Sequence, residues 1–135
     1  MNARLDLVGI VTRDMRASLA VYRRLGLDVP EGAEDEPHAE AKTSGGLRVA
    51  WDTVELVGQI HPDYTPPADG HRMALAFLLP TPAAVDEKYA ELAALGYGRY
   101  EPWDAPWGQR YAVVADPDGN HVDLFASLYS GSQCS

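Results

Sequence analysis

The sequence predicts an α+β fold in which a βαβββ module occurs twice in tandem. A strand pattern and a helix ending at Leu25-Gly26 open the chain, and the same succession returns and ends at Leu95-Gly96. Strand patterns follow each helix, and a β-hairpin closes the second copy. Self-similarity of this kind indicates a duplicated structural unit. We therefore expect two four-stranded mixed sheets that form a cup, with helices packed outside and a cavity on the concave side.

The first strand and helix are predicted from periodicity. Residues 4–11 alternate in a way that suits a strand covered on both faces. Asp14 opens the helix, and Arg23 and Arg24 fall at the negative end of its dipole, before the terminating Gly26. The apolar residues of this helix recur at helical spacing: Met15, Leu19, Tyr22 and Leu25.

The rest of the first module carries weaker signals. Residues 27–36 are acidic and rich in turn formers, and a strand is expected at 37–41. Ser44-Gly45-Gly46 predicts a turn before a further strand at 47–53. Residues 62–70 contain three prolines and predict a linker or a long loop between the modules.

The second module repeats the pattern of the first. Residues 72–79 predict an apolar strand, followed by Thr81 as the helix N-cap and Pro82 as the first helical residue. The helix ends at Gly96, and its apolar positions are Val85, Tyr89, Leu92 and Leu95.

Two tryptophans fall in a segment that predicts a loop. Residues 97–110 contain Trp103 and Trp107 among two prolines and a glycine, outside any periodic core element. Tryptophans in a loop favour contact with a ligand. Packing of the loop against the sheet is the alternative, and it carries more weight for Trp103 than for Trp107.

The closing hairpin is the clearest local signal. Residues 111–115 and 121–125 are rich in strand formers and flank the turn sequence Asp-Pro-Asp-Gly-Asn at 116–120. Because side chains alternate along a strand, His121 and Asp123 share one face. Polar groups on a partly buried strand need partners, so this face is the candidate cavity wall.

Composition supports one compact domain over residues 1–128, with modules at 4–61 and 71–128 and a flexible tail at 129–135. An apolar share of 46% can form a core in a chain of 135 residues. A formal charge of −9 disfavours nucleic acid and suits a neutral or cationic small ligand. No apolar run is long enough to span a membrane, and the single cysteine, Cys134, excludes an internal disulfide. We expect a cytoplasmic protein.

Two motifs resemble the vicinal oxygen chelate superfamily, which holds glyoxalases, extradiol dioxygenases, and bleomycin- and fosfomycin-resistance proteins. One is Asp-Pro-Asp-Gly-Asn-x-x-Asp, which begins at Asp116. The other is Arg-Asp-Met-x-x-Ser-Leu-x-x-Tyr-Arg-x-Leu-Gly at residues 13–26. The resemblance covers residues 4–128 and implies the glyoxalase/bleomycin-resistance/dioxygenase fold, and superfamily members often assemble as homodimers.

Further segments look like the mitomycin-binding resistance proteins of antibiotic producers. These segments are Pro37-His38, residues 45–53, Gly70-His71-Arg72, Pro102-Trp103 and residues 107–111. In those proteins a His after Pro at this point faces the aromatic ligand, so the resemblance implies that His38 contacts the ligand and that Trp107 stacks on it.

The same motifs place other residues among the candidate ligand contacts. Asp52, Arg110 and Tyr111 are included because they lie within the motifs, although Asp52 and Arg110 could instead be surface charges or an ion pair. For His121 and Asp123 three interpretations stay open: a remnant of a metal site, a satisfied structural pair, or polar contacts to the ligand.

The resemblance also implies where a metal would be held. Catalytic members carry a His on the first strand, a His on the strand that opens the second module, and a Glu on the last strand. Aligned by motif, this chain has Leu7, Ala74 and Asp123 at those positions. Leucine and alanine supply no donor atoms, so no metal and no other cofactor is expected.

The predicted function is non-catalytic sequestration of an aromatic or quinone-type, mitomycin-like antibiotic, which would confer self-resistance on a producer. The ligand would stack between His38 and Trp107, and the protein would act as a homodimer with two equivalent sites. The alternative is an enzyme, a glyoxalase- or dioxygenase-type lyase or isomerase that acts on a small oxygenated metabolite.

Overall fold

The computed structural model describes residues 3–67 and 73–129. The chain divides into two compact units, Met1–Ala68 and Asp69–Ser135. The first holds a three-stranded mixed sheet and the second a four-stranded mixed sheet. The predicted α+β class with paired modules is confirmed, whereas the predicted strand number is wrong for the first sheet.

Some sequence predictions fall on residues outside the described segments. These are the Gly70-His71-Arg72 motif, the last three residues (68–70) of the predicted linker, and the tail from position 130 onward, which includes Cys134.

The first unit contains strands β1 (Leu7–Thr12), β2 (His38–Lys42) and β3 (Arg48–Thr53) and helices α1 (Met15–Arg24) and α2 (Val54–Ile60). Strand β3 lies in the centre of the sheet, parallel to β1 and antiparallel to β2. The parallel β1–β3 pair needs a crossover, and α1 lies within it.

Helix α1 begins and ends as its sequence predicts. The Asp14 carboxylate accepts a hydrogen bond from the backbone N–H of Ala17, which satisfies one of the free donors of the first turn. After the last turn, Gly26 takes a φ of 104°, a left-handed conformation that side chains disfavour. The buried face of α1 packs on the sheet, where the rings of Tyr22 and Trp51 are 5.5 Å apart and almost fully buried.

The first sheet lacks the strand that a complete βαβββ module would have after its helix. The chain instead forms a loop with a 3-10 helix at Ala33–Asp35. Arg23 holds this loop, since its guanidinium donates to the backbone oxygen of Pro30 at 2.8 Å and to the Glu34 carboxylate at 2.8 Å. Gly32 turns the chain with a φ of 86°. The backbone oxygen of Pro30 and the Glu34 carboxylate therefore have hydrogen-bond partners, although this segment forms no strand.

Helix α2 is a second departure from the sequence prediction. The Thr53 hydroxyl accepts a hydrogen bond from the N–H of Leu56, so the last residue of β3 also caps this helix. Its seven residues make only two turns, too few for apolar periodicity to stand out.

The second unit is a complete βαβββ module. Its elements are β4 (Ala74–Leu78), α3 (Pro82–Ala94), β5 (Gly98–Ala105), β6 (Gln109–Ala115) and β7 (His121–Ser127). The strand order is β4-β7-β6-β5, with β4 parallel to β7 and the other neighbours antiparallel.

Helix α3 confirms its predicted start, with the Thr81 hydroxyl accepting from the N–H of Ala84 and Pro82 in the first turn. Val85 and Leu92 are fully buried against the sheet. At 13 residues it is the longest helix of the described segments, and no helix there is long and apolar enough to cross a membrane.

The β6–β7 hairpin is confirmed at the predicted position. Its turn is built on the buried Asp116 carboxylate, which accepts hydrogen bonds from the backbone N–H groups of Asp118 and Asn120, each at 2.9 Å. Gly119 has a φ of 89°, which only glycine adopts without strain. The turn chemistry of the sequence therefore has a direct structural counterpart.

The loop predicted for residues 97–110 is wrong. Trp103 lies within β5, and only residues 106–108 form the turn to β6, where Trp107 lies. Pro102 weakened the strand prediction, but β5 is an edge strand with register shifts before Trp103, and such a strand tolerates proline.

Candidate functional site

The two faces of the second sheet differ in burial. On β7, Val122, Leu124 and Ala126 are almost inaccessible, and α3 contacts β5, β6 and β7. His121 and Asp123 lie between them in sequence and are only half-buried. Since neighbouring residues on a strand point to opposite faces, His121 and Asp123 lie on the face that α3 does not cover.

Strand register brings aromatic residues together on this uncovered face. Trp103 pairs with Tyr111, and Tyr111 pairs with Phe125 on the next strand. Residues directly opposite each other on paired strands have side chains on the same face. We call this surface the aromatic face, and it comprises Trp103, Trp107, Tyr111, His121, Asp123 and Phe125.

Trp107 joins the cluster from the turn between β5 and β6. Its ring centroid lies 5.7 Å from that of Trp103 and 5.4 Å from that of Tyr111, both in edge-to-face geometry. The indole N–H of Trp107 donates to the side-chain oxygen of Gln109 at 2.9 Å, which fixes the ring. Trp107 is nevertheless 57% exposed and Trp103 45% exposed.

Gly108 allows the turn to be this tight. Its φ is 88°, and a Cβ at this position would come within 2.6 Å of the ring of Tyr129. Neither Gly108, Tyr129 nor Gln109 was predicted as part of the site. Gly108 was visible as a turn former, whereas its contact with Tyr129 is non-local and leaves no sequence signal.

Tyr111 and Asp123 interact at the centre of the aromatic face. Burial, followed by the charge of Asp123 and a hydrogen bond to it, raises the pKa of Tyr111 to about 12. The Tyr111 hydroxyl therefore stays protonated at neutral pH and donates to the carboxylate. In the strand register Asp123 lies between Ala76 and Val113, two small apolar residues that leave it open to approach from above the sheet.

His121 lies at one end of the aromatic face. The strand register pairs it with Ala74 on one side and Ala115 on the other. The ring of Tyr100 lies 6.2 Å from the imidazole in edge-to-face geometry. The small neighbours leave the imidazole half-exposed at the β4 side of the face.

In the first unit, His38 lies between two carboxylates. Strand pairing places His38 opposite Asp52, and the distance from Nδ1 to an Asp52 oxygen is 2.6 Å. Nε2 lies 2.8 Å from an oxygen of Glu40. Carboxylates only accept, so both ring nitrogens carry protons and the ring is an imidazolium. The hydrogen bonds to Asp52 and then Glu40 raise the pKa of His38 above its ordinary value.

The His38 pair continues into a chain of ion pairs. Glu40 also accepts from Arg48 at 2.8 Å, and Arg48 donates to Asp6 at 2.6 Å. The hydrogen bonds to His38 and Arg48 lower the pKa of Glu40, and those to Asp6 and Glu40 raise the pKa of Arg48. We call this set, with His38 and Asp52, the charge network. Glu40 and Asp6 were not predicted, although Glu40 follows His38 at the two-residue spacing that puts both on one strand face.

The eight predicted ligand contacts thus fall into three groups. Trp103, Trp107, Tyr111, His121 and Asp123 lie together on the aromatic face. His38 and Asp52 form a pair in the first unit. Arg110 belongs to neither group, because it donates to Asp86 of α3 at 2.9 Å and to Asp104 at 3.0 Å.

Arg110 is therefore tied to the helix side of the sheet. It alternates with Tyr111 on β6 and pairs with a helix residue, and the hydrogen bond to Asp86 raises the pKa of Arg110. This arrangement fits a structural ion pair between α3 and the β5–β6 edge.

An open cleft of about 520 Å³ lies elsewhere in the first unit. It surrounds the start of α1 and the 3-10 helix, and the ion pair between Arg16 and Asp35 at 3.2 Å is on its wall. None of the eight predicted contacts lines it, although Pro37 and Thr53 on its wall adjoin His38 and Asp52 in the chain.

The side chains at the three positions where catalytic relatives bind a metal do not fit such a metal in this chain. Leu7 and Ala74 stand at two of the three positions implied by the resemblance, and neither side chain has a donor atom. Within residues 3–67 and 73–129, no group of three or more His, Cys, Asp or Glu side chains could hold a metal ion.

The mixed sheets, outer helices and complete βαβββ module define the paired-module α+β class. The model of the Glyoxalase/Bleomycin resistance protein/Dioxygenase superfamily matches residues 4–124, and the chain belongs to this superfamily. No curated protein sequence matches the chain significantly.

Solved structures share this fold over nearly the whole chain. A glyoxalase/bleomycin resistance protein/dioxygenase family enzyme from Burkholderia phytofirmans is 25% identical, with a TM-score of 0.75 and coverage of 93% of this chain and 100% of that one. A superfamily member from Nocardioides is 23% identical, with a TM-score of 0.70 and coverage of 100% and 91%. A lactoylglutathione lyase from Agrobacterium tumefaciens is 20% identical, with a TM-score of 0.65 and coverage of 97% and 98%. The latter two likenesses concern the fold alone.

Proposed function

We propose that the protein binds a planar aromatic or quinone-type antibiotic, of the mitomycin kind, and sequesters it without altering it. The observation that carries this proposal is the aromatic face. The ring of Trp107 contacts the rings of Trp103 and Tyr111 on a sheet surface that the module's own helix leaves uncovered. Large exposed apolar clusters on a small protein mark binding surfaces.

The geometry of the rings supports stacking as the mode of binding. Trp107 is held on both sides by ring contacts and by its hydrogen bond to Gln109, yet more than half of its surface is free. A rigid exposed ring loses little conformational freedom when a planar ligand covers it. Stacking on one such ring is worth about 1 to 3 kcal/mol.

His38 and Asp52 are proposed contacts of the first unit. Two carboxylates hold the imidazolium ring in one orientation, and the side chain is still 44% exposed. A flat ring held in one orientation suits stacking against a planar aromatic ligand. Arg110 is left out of the proposed site, because its hydrogen bonds to Asp86 and Asp104 hold it on the side of the sheet that α3 covers.

Sequestration would confer resistance by mass action. The protein must then be present at levels comparable to the antibiotic and must bind it with a dissociation constant well below that concentration. We further propose that it acts as a cytoplasmic homodimer with two equivalent sites.

Metal-free catalysis is the second candidate function. The observation that favours it is the hydrogen-bonded pair of Tyr111 and Asp123, a phenol held protonated beside a carboxylate. Such a pair can supply a general acid and a general base to a small oxygenated substrate. The activity would be that of a lyase or isomerase.

One experiment separates the two functions. Equilibrium dialysis against mitomycin C and a bleomycin measures binding, and mass spectrometry of the recovered drug measures turnover. We expect binding at or below micromolar concentration and recovery of unchanged drug. Failure to bind either drug at micromolar concentration would overturn the sequestration proposal, and catalytic conversion of a bound compound would replace it with the enzyme.

A further inference from the structure

We infer that the aromatic face selects cationic ligands and that Asp123 is the residue that determines this specificity. The inference rests on the proposed function, because it assumes that a planar ligand lies against this face. It adds the charge of the ligand, which stacking alone leaves open.

The charges near the face are unbalanced. On strands β4, β6 and β7, the ionisable side chains that share a face with Tyr111 are His121 and Asp123. The arginine of β6, Arg110, is engaged on the helix side by Asp86 and Asp104. Among the described residues, no lysine or arginine forms an ion pair with Asp123. On the described part of these three strands, Asp123 is therefore the one carboxylate on this face.

Asp123 is placed so that a ligand can reach it. Ala76 and Val113 are its cross-strand neighbours, so no long side chain covers it from either side. The Tyr111 hydroxyl satisfies part of its hydrogen-bonding capacity, and a carboxylate can accept several more bonds. A half-buried carboxylate gains most from a positively charged donor, because charge-assisted hydrogen bonds are about twice as strong as neutral ones.

The surrounding rings favour the same ligand charge. The faces of Trp and Tyr rings carry negative electrostatic potential and attract cations. Tyr111 remains neutral at physiological pH, so it donates to Asp123 and adds no competing charge. The formal charge of −9 also draws cations toward the molecule. A planar aromatic ligand that carries an amine or amidine meets all of these features.

The test uses three probes with one ring system and different charges at pH 7.5: 9-aminoacridine (cation), acridine (neutral) and acridine-9-carboxylate (anion). Isothermal titration calorimetry of the full chain should give the tightest binding for the cation, by about tenfold over acridine, and the weakest for the anion. Asp123→Asn, which still accepts from Tyr111, should bind acridine as before and lose the preference for the cation.

Two further variants separate local from general electrostatics. Glu87→Gln removes one negative charge from the exposed side of α3 and should keep the preference. Asp123→Thr also removes the carboxylate and suits a strand, so it should lose the preference and provides a reading even if Asp123→Asn fails to fold. A preference for the cation that persists in folded Asp123→Thr would contradict the inference.

The outcomes also distinguish this inference from the proposed function. Equal binding of cation and neutral probe by the unmodified protein, or a preference that survives in Asp123→Asn, would overturn the inference and leave stacking intact. Trp107→Ala should weaken all three probes alike. If none of the three binds, the aromatic face is not a ligand site and both proposals fall.

Discussion

The two modules place different chemistry on equivalent strands. In the second module, the β6–β7 pair carries Tyr111 and Asp123, and the exposed Trp103 and Trp107 lie beside them on the same face. In the first, the corresponding β2–β3 pair carries His38, Asp52 and the rest of the charge network. The first module has also lost the strand that in the second carries Trp103.

This difference shows how one duplicated topology can serve two purposes. The hydrogen-bonding groups of the charge network bind one another, since each acid or base in it has a partner within hydrogen-bond distance. On the aromatic face, by contrast, the apolar rings of Trp103 and Trp107 remain 45% and 57% exposed to water. The fold is common to both modules, and function follows from the side chains placed on it.

The largest expected effect is a loss of folding stability, and it should differ between the tryptophans of the two modules. Trp51 is fully buried against Tyr22, whereas Trp107 is more than half exposed. Trp51→Ala leaves a cavity and should lower the free energy of unfolding by about 3 to 5 kcal/mol. Trp107→Ala should lower it by less than about 1 kcal/mol. Urea denaturation followed by circular dichroism measures both values.

A conservative variant sharpens this comparison. The indole N–H of Trp51 is buried and has no hydrogen-bond partner among residues 3–67 and 73–129. Trp51→Phe removes that group together with some volume, so its cost should be clearly smaller than that of Trp51→Ala. Equal losses of stability in Trp51→Ala and Trp107→Ala would mean that the aromatic face belongs to the core.

The next largest effect is expected in the affinity for the ligand. If Trp107 stacks on the ligand, Trp107→Ala should weaken binding of mitomycin C by about 1 to 3 kcal/mol, or roughly tenfold to more than a hundredfold. Trp103→Ala is the matched control, since Trp103 touches Trp107 but lies within β5. We expect it to lower stability more than affinity. Fluorescence titration and denaturation of both variants check this, and unchanged affinity in Trp107→Ala would remove the stacking platform.

The elements that could be predicted from the sequence are those with local causes. Asp14 and Thr81 cap their helices through hydrogen bonds that span three residues. The turn built on Asp116 uses groups within four residues. Each of these structures is encoded by a short segment, so the pattern alone is sufficient.

The parts that could not be predicted depend on distant partners. The loop after α1 replaces a strand because Arg23 binds it from the helix. Arg110 appeared in a ligand-site motif, and only the approach of Asp86 from α3 ties it to the helix side. The site was predicted as a set of residue types, but its division into an aromatic face and a charge network required strand register.

A smaller effect on stability is expected when pH changes the protonation of the charge network. The pKa of His38 is raised in the folded chain, so its stabilising contribution is complete below the ordinary value of 6.5 and is lost as pH rises through the folded pKa. Glu40 has the opposite sign, because its lowered pKa makes it contribute until pH falls through that value. Arg48, Asp6 and Asp52 supply the remaining charges.

The size of the His38 effect should be below about 1 kcal/mol, because the pair is substantially exposed and solvent screens it. Nuclear magnetic resonance titration of the imidazole should give a pKa above 6.5. In His38→Gln, the decline of stability above that pH should disappear. A titration midpoint below 6.5 would show that the carboxylates do not hold the ring as a cation.

The smallest expected effect is that of metal, for which we predict no change. With Leu7 and Ala74 at two positions that bind metal in catalytic relatives, exhaustive treatment with EDTA should leave the affinity for mitomycin C as it was. Added Zn²⁺, Ni²⁺ or Mn²⁺ should not raise the melting temperature, since a ligand stabilises the fold only if it binds the folded state. Ala74→His is the positive control, because position 74 pairs with His121 and the new imidazole would join His121 and Asp123 on one face. Stabilisation by Zn²⁺ in that variant but not in the unmodified chain would attribute the lack of binding to the missing donors, whereas stabilisation of the unmodified chain would favour the enzyme.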